Sequence, residues 1–335
     1  MSSANPVLLE RHRGGLLESR HRGSWVVVDT TGEIVDGAGA KREPVFARSS
    51  TKSIQALALL ESGAADAFGY DQADLALALA SHSGEDQHTR RVAAILGRLD
   101  LGAAALGCGA TPPTDAATRR ALFASGEGPS ALHHNCSGKH AGFLALARHL
   151  AVDPAAYIDP ASPSQQQVRQ AMLELCSLEE AELGVAVDGC SAPTFHLPLH
   201  RLALGIARIA TPAELAAPRK AACERMLDAA ARHPELIAGT KKRLCTDLAR
   251  VTGGRLFPKV GAEAVYVVGW QERELGFALK LDDGSIGHMN GLVVELLFRM
   301  KWIDHREYEA LAAWTDRRIL NDAGLEVGER VYPRA

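Results

Sequence analysis

Apolar positions follow two different rhythms along the chain. In "SWVVVDTTGEIVDGAG" two short β-branched runs, Val26–Val28 and Ile34–Val35, flank the polar Thr30-Thr31-Gly32, which predicts a β-hairpin. From about Thr51 to Leu248 the spacing becomes mostly helical. "TKSIQALALLESG" gathers Leu57, Leu59 and Leu60 and stops at Gly63. "DQADLALALASHSGE" opens on Asp71 as a cap and runs to Gly84. "DAATRRALFASG", "SGKHAGFLALARHL" and "SPSQQQVRQAMLELCS" follow, each with apolar residues at helical intervals. Strand character returns in "AVYVVGWQERELGFALKLDDGS", two β-rich runs about a polar turn at Gln271–Glu274. "GLVVELLFRMKW" and "HREYEALAAW" are predicted to close the chain as amphipathic helices.

Strands at both ends with helices between them predict an α+β, three-layer fold. Its antiparallel sheet is assembled from residues 1–50 and 255–335, and residues 51–254 form a mainly helical lobe inserted between them. Reactive groups then collect in the cleft between the lobes. The chain shows no internal repeat, low-complexity tract or linker, so the two lobes are expected to fold as one cooperative unit.

Composition narrows the function. The 335 residues are 47 % apolar and 23 % charged, an ordinary globular mixture with ample core. A net charge of −3 and only 5 % aromatic residues speak against nucleic acid and anionic membranes as partners. "MSSANPVLLERHRGG" lacks the pattern of a signal peptide, and "GLVVELLF", the nearest approach to a membrane span, contains a glutamate. A cytoplasmic location is expected, with the six cysteines reduced. Cys176, Cys223 and Cys245 fall in helix-like runs and read as small core residues, whereas Cys136 and Cys190 stand in polar, turn-like stretches.

Ser49 and Lys52 stand at i and i+3 where the first predicted helix begins, one above the other on its face. A serine hydroxyl becomes nucleophilic when a base takes its proton, and a lysine whose pKa is lowered by burial and a second cation is such a base. Taken alone, the pair reads first as a capping serine and a solvated lysine, because S-x-x-K is common by chance. Two later elements change the balance. "ASHSGED" puts Ser81, His82 and Ser83 at the end of the next predicted helix, and "LFPKVGAEAVYVV" puts Lys259-Val260-Gly261 where a strand begins. The order S-x-x-K, serine element, K-x-G is the layout of serine β-lactamases and penicillin-binding proteins. Here S-H-S stands for S-D-N and K-V-G for K-T-G, so the likeness is one of layout.

A second constellation lies in "HHNCSGKHAGF" and "VDGCSAPTFHLPLH". Cys136 and Lys139 are i and i+3 around a helix start, and Asp188 and Cys190 share a glycine-containing turn. Two thiolates are soft ligands for Zn²⁺, and a third donor is available from Lys139 or a nearby histidine. A phosphate loop is excluded, because His133 stands where its first glycine belongs and His140 where Ser or Thr belongs. Reduced cysteines that only line a pocket remain an alternative. His196 and His200 straddle Pro198 and read as structural.

The succession "RSSTKSIQAL", "ASHSGE", "HNCSGKHAGFLA", "DGCSAPTFHLPL" and "KVGAEAVYVVG" resembles the L-asparaginase II family, the rhizobial-type or class 3 asparaginases, over nearly the whole chain. The resemblance implies a fold similar to serine β-lactamases and glutaminases, and two serine–lysine tandems, Ser49 with Lys52 and Ser81 with Lys259. It implies a zinc ion on Cys136, Lys139 and Cys190, with Asp188 close by through water. Arg48, Asp188 and Glu263 are the substrate-binding residues it implies, and a homodimer the assembly. The implied reaction converts L-asparagine to L-aspartate and ammonia through an ester on Ser49, the metal corner recognising the amino-acid end of the substrate. A glutaminase, a penicillin-recognising hydrolase and a non-catalytic zinc sensor are the competing readings. Thr111 and Ala264 stand where the family pattern leads us to expect histidine and glycine.

Overall fold

Strands from the two ends of the chain meet in one antiparallel sheet of eight strands in the computed structural model, which describes residues 5–333. Residues 1–4 and 334–335, the outer ends of the predicted sheet-forming spans, lie outside the described residues. The N-terminal strands are β1 (Val7–Arg13), β2 (Leu16–Asp29), β3 (Ile34–Ala38) and β4 (Pro44–Phe46). β5 (Gly184–Val187) and β6 (Pro193–Pro198) come from the middle of the chain. β7 (Leu256–Gly261), β8 (Val265–Trp270), β9 (Leu275–Leu281), β10 (Arg318–Leu320) and β11 (Glu326–Val331) come from its end. The order is β10-β11-β1-β2-β9-β8-β7, with β3 also paired to β2. Long β2 serves two neighbours in turn: Leu16–Arg22 pairs with β1, and Gly23–Asp29 pairs with β9.

Period-two alternation divides the apolar side chains of the sheet between two cores. Val26, Val28, Val265, Val267 and Ala278 join one core, which includes Leu202 and Ile206 of the helix Leu199–Ala210. Trp25, Val27, Tyr266, Val268, Phe277 and Leu279 join the other, which includes Met289, Leu292 and Val293 of the helix Ile286–Arg299. The sheet is thus the middle of three layers. Gly276 makes one contact possible: a Cβ there would lie 2.0 Å from the Ala203 carbonyl oxygen, so no side chain fits between helix and sheet.

The helical insertion is built around the helix Lys52–Glu61, in which nine of ten residues are buried. Full burial of Ile54, Leu57, Leu59 and Leu60 stabilises the fold by about 1.5–3 kcal/mol each. The predicted hairpins, helices and polar turn at Gln271 are present. Four features differ from the sequence reading. The helix capped by Asp71 ends at Ala78 rather than Gly84, leaving Ser81 in irregular chain. The helix Leu199–Ala210 belongs by position to the insertion yet covers the sheet. β5, β6 and β4 form a small separate sheet. The closing helices are followed by β10 and β11, which extend the main sheet beside β1.

Candidate active site

Three elements converge where β7 passes the start of the helix Lys52–Glu61. Ser49 lies in a single 3₁₀ turn, Arg48–Thr51, that leads into that helix. Arg48 takes a left-handed backbone conformation, φ 52°, which a side chain with a Cβ adopts only when its surroundings hold it there. β7 lies directly against this turn: a Cβ on Gly261 would be 2.8 Å from the Ala47 carbonyl oxygen, so K-x-G needs its glycine for contact. Ser81 is fixed through its backbone, its N–H donating to Ile237 O at 2.8 Å and its carbonyl accepting from Arg243 Nη2 at 2.6 Å.

The lysines meet at Ser81. Lys52 Nζ lies 3.0 Å and Lys259 Nζ 2.9 Å from Ser81 Oγ, and all three residues are buried. Lys52 also donates to the Ala80 carbonyl and to Cys136 Sγ at 3.1 Å. These three contacts go to Ala80, Ser81 and Cys136, and none goes to Ser49. The spacing of Ser49 and Lys52 predicts a pair; the structure instead draws Lys52 across to the second serine. Burial, with the Lys52 charge beside it, holds Lys259 well below the ordinary lysine pKa. Ser49 and Ser81 both line an open cleft of about 300 Å³, together with Asn135, Lys242, Arg243 and Tyr266.

Behind Ser81 lies the cysteine corner. The turn between β5 and β6 is closed by Asp188 N–H donating to Ala192 O at 2.9 Å, and it carries Asp188 and Cys190. Lys139 Nζ is 3.3 Å from Cys190 Sγ, and Cys190 Sγ is 3.5 Å from Asp188 Oδ2. Donation from the Cys190 thiol holds Cys136 well below the ordinary thiol pKa, aided by Lys52 and opposed by burial; the same bond pushes Cys190 up. Burial opposes the charge of Lys139, but the sulfurs of Cys190 and Cys136 and the Asp188 carboxylate outweigh it and raise its pKa. Among the described residues no three His, Cys, Asp or Glu side chains form a metal-holding group. A metal held here would need the Lys139 amine, stripped of its proton, as third donor beside the two sulfurs.

Residues 9–332 match the family described as L-asparaginase II. The chain belongs to the L-asparaginase II family. No curated protein sequence matches it. Among solved structures it is similar to a β-lactamase from Mycobacterium bovis, at 13 % identity over 88 % of this chain and 95 % of that one, with a TM-score of 0.42. The α+β class rests on the chain's own elements.

For this L-asparaginase II chain the structure brings together Ser49, Ser81, Lys52 and Lys259, and behind them Cys136, Lys139, Cys190 and Asp188. Arg48 joins the second group through Asp188, Nε to Oδ1 at 2.6 Å. Glu263 stays apart, exposed on the turn after β7 with its carboxylate against Gly284, and it is not among the residues lining the cleft. His196 packs tilted against Phe46 and His200 hydrogen-bonds Arg42, which accounts for both as structural. Cys176 and Cys223 are core residues, each thiol pushed up to about 12 by burial. Cys245, read as core, also lines the cleft, 3.3 Å from the Tyr266 hydroxyl. Asn135, Lys242, Arg243 and Tyr266 escaped the sequence reading, because an isolated amide, two surface cations and a strand tyrosine carry no spacing signal. Ala264 takes φ 53°, a left-handed conformation that suits the glycine expected there.

Proposed function

We propose that this family member is an amidohydrolase that converts L-asparagine to L-aspartate and ammonia. The observation that supports the chemistry is the Ser81 hydroxyl held between two buried lysines in the cleft that also presents Ser49. Ser49 Oγ attacks the side-chain carboxamide carbon, and its proton passes to the Lys52 amine. Lys52 reaches Ser81, so the proton moves on to Ser81 Oγ while the Ser81 proton goes to the leaving nitrogen. Neutral Lys259 keeps a second charge away from Ser81. Ammonia departs, an aspartyl ester remains on Ser49, and water attacks it as the proton returns along the same groups. The Ser49 N–H, where its helix begins, is a donor for the developing oxyanion. The absence of a direct Ser49–Lys52 bond is compatible with this route, since catalytic bonds often tighten only around substrate.

Cys136, Lys139 and Cys190 would hold zinc beside Asp188, and the ion would supply a Lewis-acid anchor for the amino end of the substrate. The chain acts in this proposal as a homodimer. A second reading, with Ser81 itself as nucleophile, draws on the same pair of lysine contacts. Ammonia release from L-asparagine and L-glutamine, with and without chelator, tests the proposal. Release from L-asparagine is expected, weakened in binding but not abolished by chelation. Hydrolysis of nitrocefin without ammonia release would favour a β-lactamase, and failure of a covalent serine probe to react would favour a sensor.

A further inference from the structure

The cleft over Ser49 and Ser81 is lined by two cations, Lys242 and Arg243, and among the described residues by no carboxylate. Arg243 is anchored there by its 2.6 Å bond to the Ser81 carbonyl oxygen, which uses one of its five N–H donors. The loop that carries both cations is tied down on either side. Thr240 donates to the Glu85 carboxylate through N at 2.8 Å and Oγ1 at 3.0 Å, and Thr246 Oγ1 donates to Gly239 O at 2.7 Å. Lys242 itself takes a left-handed φ of 54°, a conformation its surroundings must hold. The loop is therefore built to present these side chains, not merely to carry surface charge.

We infer that Lys242 and Arg243 form the subsite for the α-carboxylate of the substrate, which confines hydrolysis to amides of free amino acids. The inference rests on the amidohydrolase reading above and adds the group that selects the substrate. L-Asparagine brings three polar groups into the cleft: the amide to be cleaved, an ammonium and a carboxylate. With the amide at Ser49, the proposal above assigns the amino end to the cysteine corner. The carboxylate then needs a cation, and Arg48 is already taken by Asp188. A guanidinium fork matches a carboxylate with two parallel bonds, and the neighbouring ammonium adds charge. Because the same guanidinium holds the Ser81 backbone, a carboxylate bound there sets the distance between the substrate and the proton relay.

The test compares L-asparagine with its α-methyl ester, which keeps the side-chain amide and loses the negative charge; ammonia reports the side-chain amide in both. The wild type is expected to prefer L-asparagine in kcat/KM by about tenfold or more, the scale of one charge-assisted contact. In Lys242→Ala and Arg243→Gln this preference falls by about tenfold, mainly through KM for L-asparagine. Lys241→Ala, on the exposed neighbour that does not line the cleft, keeps the preference and serves as control. An unaltered preference in both variants overturns the subsite. Calorimetric binding of L-aspartate needs no turnover and reads the subsite separately: about tenfold weaker binding by either variant supports it. Equal binding by wild type and variants, or no binding by the wild type, overturns it. A wild type that binds L-aspartate but releases no ammonia from L-asparagine overturns the amidohydrolase reading alone.

Discussion

Lys259 and Lys139 are both buried lysines within one site, and their surroundings push them in opposite directions. Lys259 faces a hydroxyl, a carbonyl and another lysine, so burial wins and its proton is loosely held. Lys139 faces two sulfurs and a carboxylate, which outweigh the same burial and hold its proton. Burial alone therefore does not make a base; the sign of the nearest charges decides. This difference divides the site into a proton-transfer corner at Ser81 and a binding corner at the cysteines. Substitutions at the two corners are expected to fail in different ways.

The largest effects belong to the proton-transfer corner. Ser81→Ala and Lys259→Met are each expected to lower kcat for ammonia release about a thousandfold or more, and the double variant no further, because groups acting as a unit do not add. Lys259→Met is also expected to raise stability by about 1–4 kcal/mol, since a buried charge site becomes apolar. Denaturant unfolding of that variant gives the second half of the answer. A stable variant that retained activity would remove Lys259 from the chemistry.

At the cysteine corner the loss should appear in binding. Cys136→Ser and Cys190→Ser are expected to lose zinc by elemental analysis and to raise KM for L-asparagine about tenfold, with kcat less affected. If kcat fell and KM did not, the division between the corners would be wrong.

The pH dependence sharpens the comparison further. Lys259 has a folded pKa below its unfolded value of about 10.4, so folding at neutral pH must release or destabilise its proton. Its contribution to stability is full above the unfolded pKa and falls as pH drops towards the folded one. Wild-type stability should therefore gain between neutral pH and about pH 10 relative to Lys259→Met. Ammonia release should likewise rise towards alkaline pH, because Lys259 acts in its neutral form. An optimum below about pH 6 would point to carboxylate or histidine chemistry.

The smallest effect concerns the turn after β7. Ala264→Gly relieves about 1–2 kcal/mol of left-handed strain but loses a buried methyl and gains chain entropy. Thermal unfolding should shift by no more than a few degrees. A collapse of stability would show that the methyl, not the backbone, fixes this turn.

Much of the site was legible because its residues lie in short, chemically biased motifs. S-x-x-K, K-x-G and the two cysteine turns marked side chains that the fold brings close together, and the switch from period two to helical spacing marked the layers. The partners of those side chains were not legible. Ser49 and Lys52 are three residues apart, yet Lys52 bonds a serine 29 positions away, a choice set by how the irregular chain at Ser81 packs beside the helix. Arg243 reads as an ordinary surface cation until the loop tied to Glu85 brings it to Ser81. Among the strands missed, β4, β5 and β10 are so short that their few residues give too brief a pattern to stand out from loop, and β6 lies inside the stretch whose spacing reads as helical. β11 is a mostly polar strand with no buried residue, so no apolar face announces it.

The central claim is that Ser49 is acylated while Ser81, held by Lys52 and Lys259, carries the proton to the leaving ammonia. Rapid mixing with L-asparagine, acid quenching and peptide mapping of the trapped ester tests it most directly. The account expects an aspartyl ester on the peptide containing Ser49 in the wild type, and no ester at either serine in Ser49→Ala. An ester on Ser81, or a Ser49→Ala variant that still releases ammonia at the wild-type rate, would contradict it.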